Sequence, residues 1–511
     1  MGAYTLRDII AKPVTGNGGD ASRVALTFDG VDQTYEKLDT RSSQLAAGLV
    51  NAGFVKGERV AVVMYNRLEW VELFFALAKV GGVVVPVNYL LSPKEIQYIV
   101  DDCQASWIVV EDVLAEQVGG LGGASDRHLV QVGSPASGAV SYESLVLDEA
   151  APQVDVRDDD LFLLQYTSGT TGFPKGAMHT HSTVLWNSYH QIVDFDVTSD
   201  DVFQVTPALC WAAGFHDLAL ATLWRGGRVI LGRSTGFDPA EFLRGVQEHG
   251  VTKVLLVPTV LKRVLGCETF DQFDLSSLRQ ILSGGEPVPQ TSVQEMQTRL
   301  PTCDVRQVYG MSEFPTLMLL IDRDESLQRP TSTGKACSAA QVRVVDDDLA
   351  DADPGMIGQI ICRSPATMIG YYGKPEATSA ALFGGWLLTG DLAYRDEDGF
   401  VHMAGRAKDM IITGGLNVYP AEVERVIAAR PDVVEAAVTG TPDDKWGEIA
   451  VAHVVVLEGT ALSAEELLAD LKAELAPYKI PRSFNFRTEP LPRTTSGKVQ
   501  KSRIVEPAAQ H

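Results

Sequence analysis

Eleven consecutive residues concentrate unusual chemistry: Tyr166-Thr167-Ser168-Gly169-Thr170-Thr171-Gly172-Phe173-Pro174-Lys175-Gly176. The glycines free the backbone to turn, so several N–H groups can point at one anion. Neighbouring hydroxyls and the Lys175 ammonium add donors, a set that suits a polyphosphate. The segment is not a Walker A loop, because Gly176 follows Lys175 where that motif needs Ser or Thr. A flexible Ser/Gly loop would account for the small residues. It would not account for a Pro-Lys-Gly ending after the apolar run from Leu161 to Leu164, which reads as a buried strand.

Six further segments set charged or aromatic residues beside glycines. They are Ser283-Gly284-Gly285-Glu286, Val308-Tyr309-Gly310-Met311-Ser312-Glu313, Leu388-Thr389-Gly390-Asp391, Gly405-Arg406-Ala407-Lys408-Asp409, Gly414-Gly415-Leu416-Asn417-Val418-Tyr419-Pro420 and Pro492-Arg493-Thr494-Thr495-Ser496-Gly497-Lys498. Taken singly, Glu313 reads as a solvated loop carboxylate, Asp391 as a turn residue, and Arg406 and Lys498 as exposed cations. In this order, behind the first loop, they resemble the motifs of the adenylate-forming superfamily. That family includes acyl-CoA synthetases, coumarate–CoA ligases, luciferases and carrier-loading adenylation domains. The resemblance runs from the helix after Thr34 to Lys498.

The resemblance implies ATP, Mg²⁺ and coenzyme A as participants and assigns roles. Thr167, Ser168, Gly169, Thr170, Thr171, Gly172 and Lys175 would hold the phosphates, with Thr170 and Lys175 acting in catalysis. Gly284, Gly285 and Glu286 would lie on the adenine side. Tyr309, with Gly310, Met311 and Ser312, would stack on adenine, and Glu313 would hold Mg²⁺. Asp391 would bind the ribose hydroxyls with Arg406 beside it. Lys408 would be the pivot of a mobile domain, and Lys498 the adenylating lysine. Gly414 and Gly415 would belong to a loop that swings in for thioester formation. Trp446, in Asp443-Asp444-Lys445-Trp446-Gly447-Glu448, would lie against the coenzyme's adenine, or serve only as packing. Tyr478 and Lys479 would meet its phosphates.

Each assignment has a physical task. A carboxylate attacking the α-phosphorus brings an anion toward a polyanion, and each charge pair at about 4 Å and an effective dielectric near 20 costs roughly 4 kcal/mol. A metal on Glu313 and the ammonium of Lys498 would offset that repulsion. The acid itself would sit among Trp211, Phe215, His216, Leu255, Ser283, Gly284, Met311 and Phe314. Many acyl-CoA ligases carry a histidine where Trp211 stands, so this chain departs from the pattern at the gate. Bulky walls suggest an aromatic or short- to medium-chain carboxylic acid. Non-coenzyme acceptors stay open: a carrier protein, or an aryl amine diazotised by activated nitrite.

The elements that must position these side chains are legible from periodicity. Tyr35 to Ala52 carries Leu38, Leu45 and Leu49 on one helical face, with Thr34 as a cap. Val60 to Met64 reads as a buried strand, Glu69 to Val80 as a helix and Val83 to Val87 as the next strand. The unit recurs in helix Pro239 to His249 and strand Val254 to Val257. Such alternation predicts parallel βαβ units and an α/β fold. Past Lys408 the pattern shrinks to helix Ala421 to Ala429, strands Val433 to Val438 and Ala450 to Val456, and helix Ala464 to Leu475. Residues 1–407 are therefore expected to form a large domain of α/β layers with parallel-rich sheets. Residues 408–511 are expected to form a small, mobile α+β domain. From Lys479 to Arg503, seven basic residues face only Glu489, a local cationic stretch where phosphates could be held.

Composition excludes several classes. The net charge is −23, from 66 acidic and 43 basic residues. Nucleic acid and anionic membrane are poor partners for such a surface. The six cysteines are scattered without a CxxC pair, which reads as reduced thiols in a cytoplasmic protein. No signal-like start is seen, and no apolar run reaches membrane-spanning length. The small-molecule acid is the expected partner, with a homodimer left open.

Overall fold

The computed structural model describes residues 4–14, 20–118, 127–136, 138–167, 174–285, 288–314, 317–329, 331–414, 416–443, 445–457, 459–460, 462–494 and 499–504. The helices begin and end where local chemistry dictates. Tyr35–Asn51 starts at Thr34, whose side chain accepts from the Lys37 N–H. Pro239–His249 is capped by Asp238, opens with proline and stops at Gly250, which takes a left-handed φ of 62°. Ala464–Glu474 opens on a reciprocal capping box between Ser463 and Glu466.

Leu68–Val80 is the buried pivot of the large domain. Every residue from Trp70 to Val80 is buried, as expected of a helix that is apolar all round. Its two buried charges are matched: Glu72 accepts from Gln33 and from Arg41, each at 2.6 Å, and Lys79 pairs with Asp39 at 2.7 Å. Around it the core joins Val60 and Val62 from one sheet to Leu26, Phe203 and Val229 from another.

The first of these sheets has seven strands. Its central pairings, Arg59–Val63 with Val83–Pro86 and with Trp107–Glu111, are parallel. At its edge Leu161–Thr167 pairs antiparallel with Lys175–Thr180, so the two strands flanking the glycine loop run side by side. The second sheet has fourteen strands. Its parallel half includes Val202–Val205, Lys253–Leu255, Gln280–Gly284 and Asp304–Tyr309. Its other half is antiparallel, built from Leu319–Ile321, Ser332–Ala336, Gln341–Val345, Gly358–Arg363, Trp386–Arg395 and Val401–Arg406. The expectation of parallel-rich α/β layers is met in the first 310 or so positions. The antiparallel half went unforeseen, because glycines and aspartates interrupt its strands: Gly390, at φ 73°, lies inside one of them.

Strand pairing changes sheets across the short turn Ala407–Asp409. Val401–Arg406 belongs to the large sheet, whereas Ile411–Thr413 joins a separate five-stranded sheet. That sheet, with helices Pro420–Ala428 and Ala464–Glu474, closes its own core around Ile411, Val423, Ile427, Val454, Leu467 and Leu471. A distinct C-terminal domain results. Its cationic stretch is less free than its sequence suggests. Lys479 pairs with Glu422 at 2.7 Å, Lys501 with Glu424 at 2.7 Å, and Arg493 with Glu435. These acidic partners are far away in sequence, on helix Pro420–Ala428 and strand Val433–Asp443. All six cysteines are free thiols. Among the described residues, no helix is long and apolar enough to cross a membrane.

Candidate active site

One strand pairing and one contact across the sheet bring three expected residues into one array. Asp391 on Trp386–Arg395 stands directly across from Arg406 on Val401–Arg406. The Arg406 Nε lies 3.1 Å from Asp391 Oδ1, and the Tyr309 hydroxyl donates to Asp391 Oδ2 at 2.5 Å. Thr389 steadies the turn: its Oγ accepts from the Asp391 N–H at 3.1 Å and donates to the Ile360 carbonyl at 2.8 Å. Asp391 is buried. Burial, reinforced by the Asp391 charge, holds the Tyr309 phenol well above its ordinary range, so it stays a donor.

A second array forms around Tyr371. Its hydroxyl donates to Glu313 Oε1 at 2.8 Å, and the Lys175 ammonium sits over its ring, 4.6 Å from the centroid. Backbone bonds fix this meeting. Tyr371 bridges to Ala177, and the N–H groups of Met178 and Tyr372 donate to Gly370 and Gly176, each at 2.9 Å. The Met368 N–H holds the Glu313 carbonyl at 2.8 Å. Glu313 is buried, and among the described residues its second carboxylate oxygen has no hydrogen-bonding partner. A buried carboxylate with one oxygen anchored and one open fits a divalent cation of the hard, oxygen-seeking kind.

Tyr371 and Thr389 were missed in the sequence. The available signal was Gly370-Tyr371-Tyr372-Gly373, with both glycines at positive φ just ahead of helix Pro375–Ala381.

The acid-pocket residues divide. Gly284 lies where only glycine fits, since a Cβ there would meet the Val308 carbonyl oxygen at 2.2 Å. The Ser283 hydroxyl donates to the Leu256 carbonyl at 2.7 Å, and Leu255 is buried. Met311 packs against the cluster that holds Phe314. Trp211 is half-buried, and among the described residues its Nε1 has no partner. His216 is fully buried, with neither ring nitrogen paired among the described residues. Burial, with His179 nearby, pushes its pKa down to about 3, so the ring is neutral. Phe215 corrects the expectation. It is fully buried between Trp70 and Phe74, at centroid distances of 5.1 and 4.8 Å, and belongs to the central core. Its helix, Ala212–Phe215, turns it inward.

On the C-terminal domain, Trp446 is not bare. The Arg482 guanidinium lies 4.7 Å and the Lys445 ammonium 5.0 Å from its ring. The Gly414 N–H donates to the Trp446 carbonyl at 2.7 Å, and a Cβ on Gly414 would strike the ring at 2.8 Å. Gly414 and the tryptophan are thus one unit. Tyr478 is exposed, whereas Lys479 is engaged by Glu422. Lys408, in the turn between the two sheets, is exposed. Ser168, Gly169, Thr170, Thr171, Gly172, Glu286, Gly415 and Lys498 lie outside the described residues.

Comparison with known proteins agrees with this geometry. Residues 17–372 match the family model of AMP-binding enzymes, and residues 422–498 match that of the AMP-binding enzyme C-terminal domain. A feruloyl-CoA synthase of Amycolatopsis is 39% identical over 480 residues, covering 94% of this chain and 95% of that protein. An indoleacetate–CoA ligase of Aromatoleum aromaticum is 33% identical over 497 residues, covering 96% of each. An anthranilate CoA ligase, solved in complex with anthranoyl-AMP, superposes with a TM-score of 0.89 at 27% identity, covering 97% of this chain and 96% of the other. The chain belongs to the AMP-binding enzymes, the adenylate-forming superfamily that its motifs resemble.

Proposed function

We propose that this chain is an AMP-forming acid–CoA ligase whose substrate is an aryl carboxylic acid. The acid carboxylate attacks the α-phosphorus of ATP, forming an acyl-adenylate and releasing diphosphate. The coenzyme A thiol then attacks the acyl carbon, forming the thioester and releasing AMP. The observation that carries this reading is the pair of arrays around Asp391 and Tyr371. Tyr309, Asp391 and Arg406 offer a stacking ring and a carboxylate suited to a nucleoside. Lys175 and Glu313, joined through Tyr371, offer a cation and a carboxylate suited to its phosphates. The named activities of the feruloyl, indoleacetate and anthranilate relatives support the aryl acid and coenzyme A.

In this reading Asp391 accepts hydrogen bonds from the ribose, and Arg406 steadies the carboxylate. Lys175 meets the terminal phosphates. Glu313 would hold Mg²⁺, which when bound neutralises triphosphate charge. Lys498 places an ammonium at the pentavalent α-phosphoryl group, where charge grows in the transition state. The half-buried Trp211 walls the acid site, and the neutral imidazole of His216 adds no charge that would compete for the carboxylate. The boundary falls at residues 407/408, with Lys408 as hinge, because strand pairing changes sheets there. Lys408→Pro should then keep single-turnover diphosphate release while steady-state product falls.

The test is diphosphate release over a panel of cinnamic, benzoic, arylacetic and fatty acids and nitrite, each with and without coenzyme A. Coenzyme-dependent turnover of aryl acids is expected. Adenylation without coenzyme-stimulated turnover would overturn the ligase reading, and carrier-protein and amine acceptors are the arms that would then register product.

A further inference from the structure

Tyr371 is not among the residues assigned above to nucleotide, metal or acid. Yet it touches both charged groups that the proposed adenylation reaction directs at the triphosphate, and the inference rests on that reading. Its hydroxyl meets Glu313 at 2.8 Å, and its ring carries the Lys175 ammonium at 4.6 Å. Lys175 and Glu313 have opposite charges and come from different elements: the strand Lys175–Thr180 and the loop after Asp304–Tyr309. Two such groups on one tyrosine attract each other, and a direct ion pair would cancel both. Here each meets the tyrosine instead. The ring face draws the ammonium through its quadrupole without neutralising it. The hydroxyl holds one carboxylate oxygen and leaves the other open.

We propose that Tyr371 is a positioning residue that orients Glu313 toward the metal and separates it from Lys175, so that each keeps its charge for the nucleotide. The side chain is built for this. Its backbone is pinned by the bridge to Ala177, and its N–H donates to the Thr378 hydroxyl at 2.9 Å. It is buried.

The test is the affinity of the full chain for a non-hydrolysable ATP analogue, measured calorimetrically with magnesium and again with EDTA. Tyr371→Phe keeps the ring under Lys175 and removes the bond to Glu313. Its affinity in EDTA should stay within about twofold of the parent, while the tightening produced by magnesium falls about tenfold. Tyr371→Leu also removes the spacer, so metal-free affinity should fall at least about fivefold as Lys175 pairs with Glu313. Adding Glu313→Gln to Tyr371→Leu should restore that metal-free affinity. An unchanged magnesium effect in Tyr371→Phe overturns the proposal. So does an equal loss with and without magnesium, which would mark a residue of purely structural importance. A parent chain that binds no analogue under either condition would instead overturn the proposed function itself.

Discussion

The two ends of this molecule prepare for anions in opposite ways. On the large domain, Tyr309, Asp391 and Arg406 are locked together, and Lys175 and Glu313 are held apart by Tyr371. Apart from the exposed Arg406 guanidinium, these groups are at least half-buried or ring-supported. On the small domain, Lys479, Arg493 and Lys501 are each tied to a glutamate of their own domain. The first arrangement is pre-organised and needs little adjustment when ligand arrives. The second keeps its cations neutralised until something more anionic than a glutamate comes close. A nucleotide site that is ready and a coenzyme site that must be unmasked suit an enzyme in which the coenzyme acts second.

The largest expected effect tests whether the small domain, which carries Lys498, also serves the first step. Lys498→Ala should lower adenylate formation at least about 100-fold, because it removes the charge proposed for the reacting phosphoryl group. Thioester formation from pre-formed acyl-adenylate should be retained. Comparable loss in both half-reactions would dissolve the division.

Next comes the ready-made array. Asp391→Ala strips Tyr309 and Arg406 of their shared acceptor. The KM for ATP should rise about 10- to 100-fold, with the KM for the acid little changed. Because the Tyr309 hydroxyl then loses its carboxylate acceptor, thermal stability should also drop, by about 1–3 kcal/mol. An unaltered KM for ATP would show that the array is scaffolding.

On the small domain, Trp446→Ala should raise the KM for coenzyme A about 5- to 20-fold. That lies in the lower part of the range for base–aromatic stacking, because Arg482 and Lys445 already occupy positions over the ring. The KM for ATP should not move, since the residue proposed for its adenine is Tyr309. Equal shifts for both substrates would place Trp446 in the general packing of the domain.

The same contrast explains what could be read without coordinates. Helices Tyr35–Asn51 and Pro239–His249 were legible because cap, periodicity and stop signal agree at each. Tyr309, Asp391 and Arg406 were legible because each stands in a motif whose neighbours are adjacent in sequence. Their convergence was not, since the strands that bring them together form an antiparallel ladder interrupted by glycines. Tyr371 was invisible for a related reason: its partners lie 58 positions away at Glu313 and still further back in the chain at Lys175. Phe215 was misplaced because an aromatic beside a gate residue reads the same whether it points to ligand or to core. The basic tail looked free because its glutamates come from a helix and a strand tens of residues earlier. Pairing across distance is a tertiary property, and it decided each of these cases.

The smallest effect bears most directly on that masking. The Lys479 and Glu422 side chains are 20% and 27% exposed, and their ion pair spans 2.7 Å. A pair so near solvent contributes at most about 1 kcal/mol to stability, so Glu422→Gln should fold normally. If Lys479 serves a coenzyme phosphate, removing its competitor frees the cation and deletes a repelling charge. The KM for coenzyme A should then fall about two- to threefold in dilute buffer. The gain should vanish near 0.5 M salt, where screening shortens to about 4 Å or so. Glutamine keeps the shape and hydrogen-bonding reach of the side chain, so a packing defect would not produce an improvement that salt erases. A KM that rises, or stays fixed at both salt concentrations, would mean that Lys479 only docks the Pro477–Lys479 turn onto helix Pro420–Ala428. The coenzyme's phosphates would then have to be met elsewhere on this domain, with Arg482, beside Trp446, the cation to replace next.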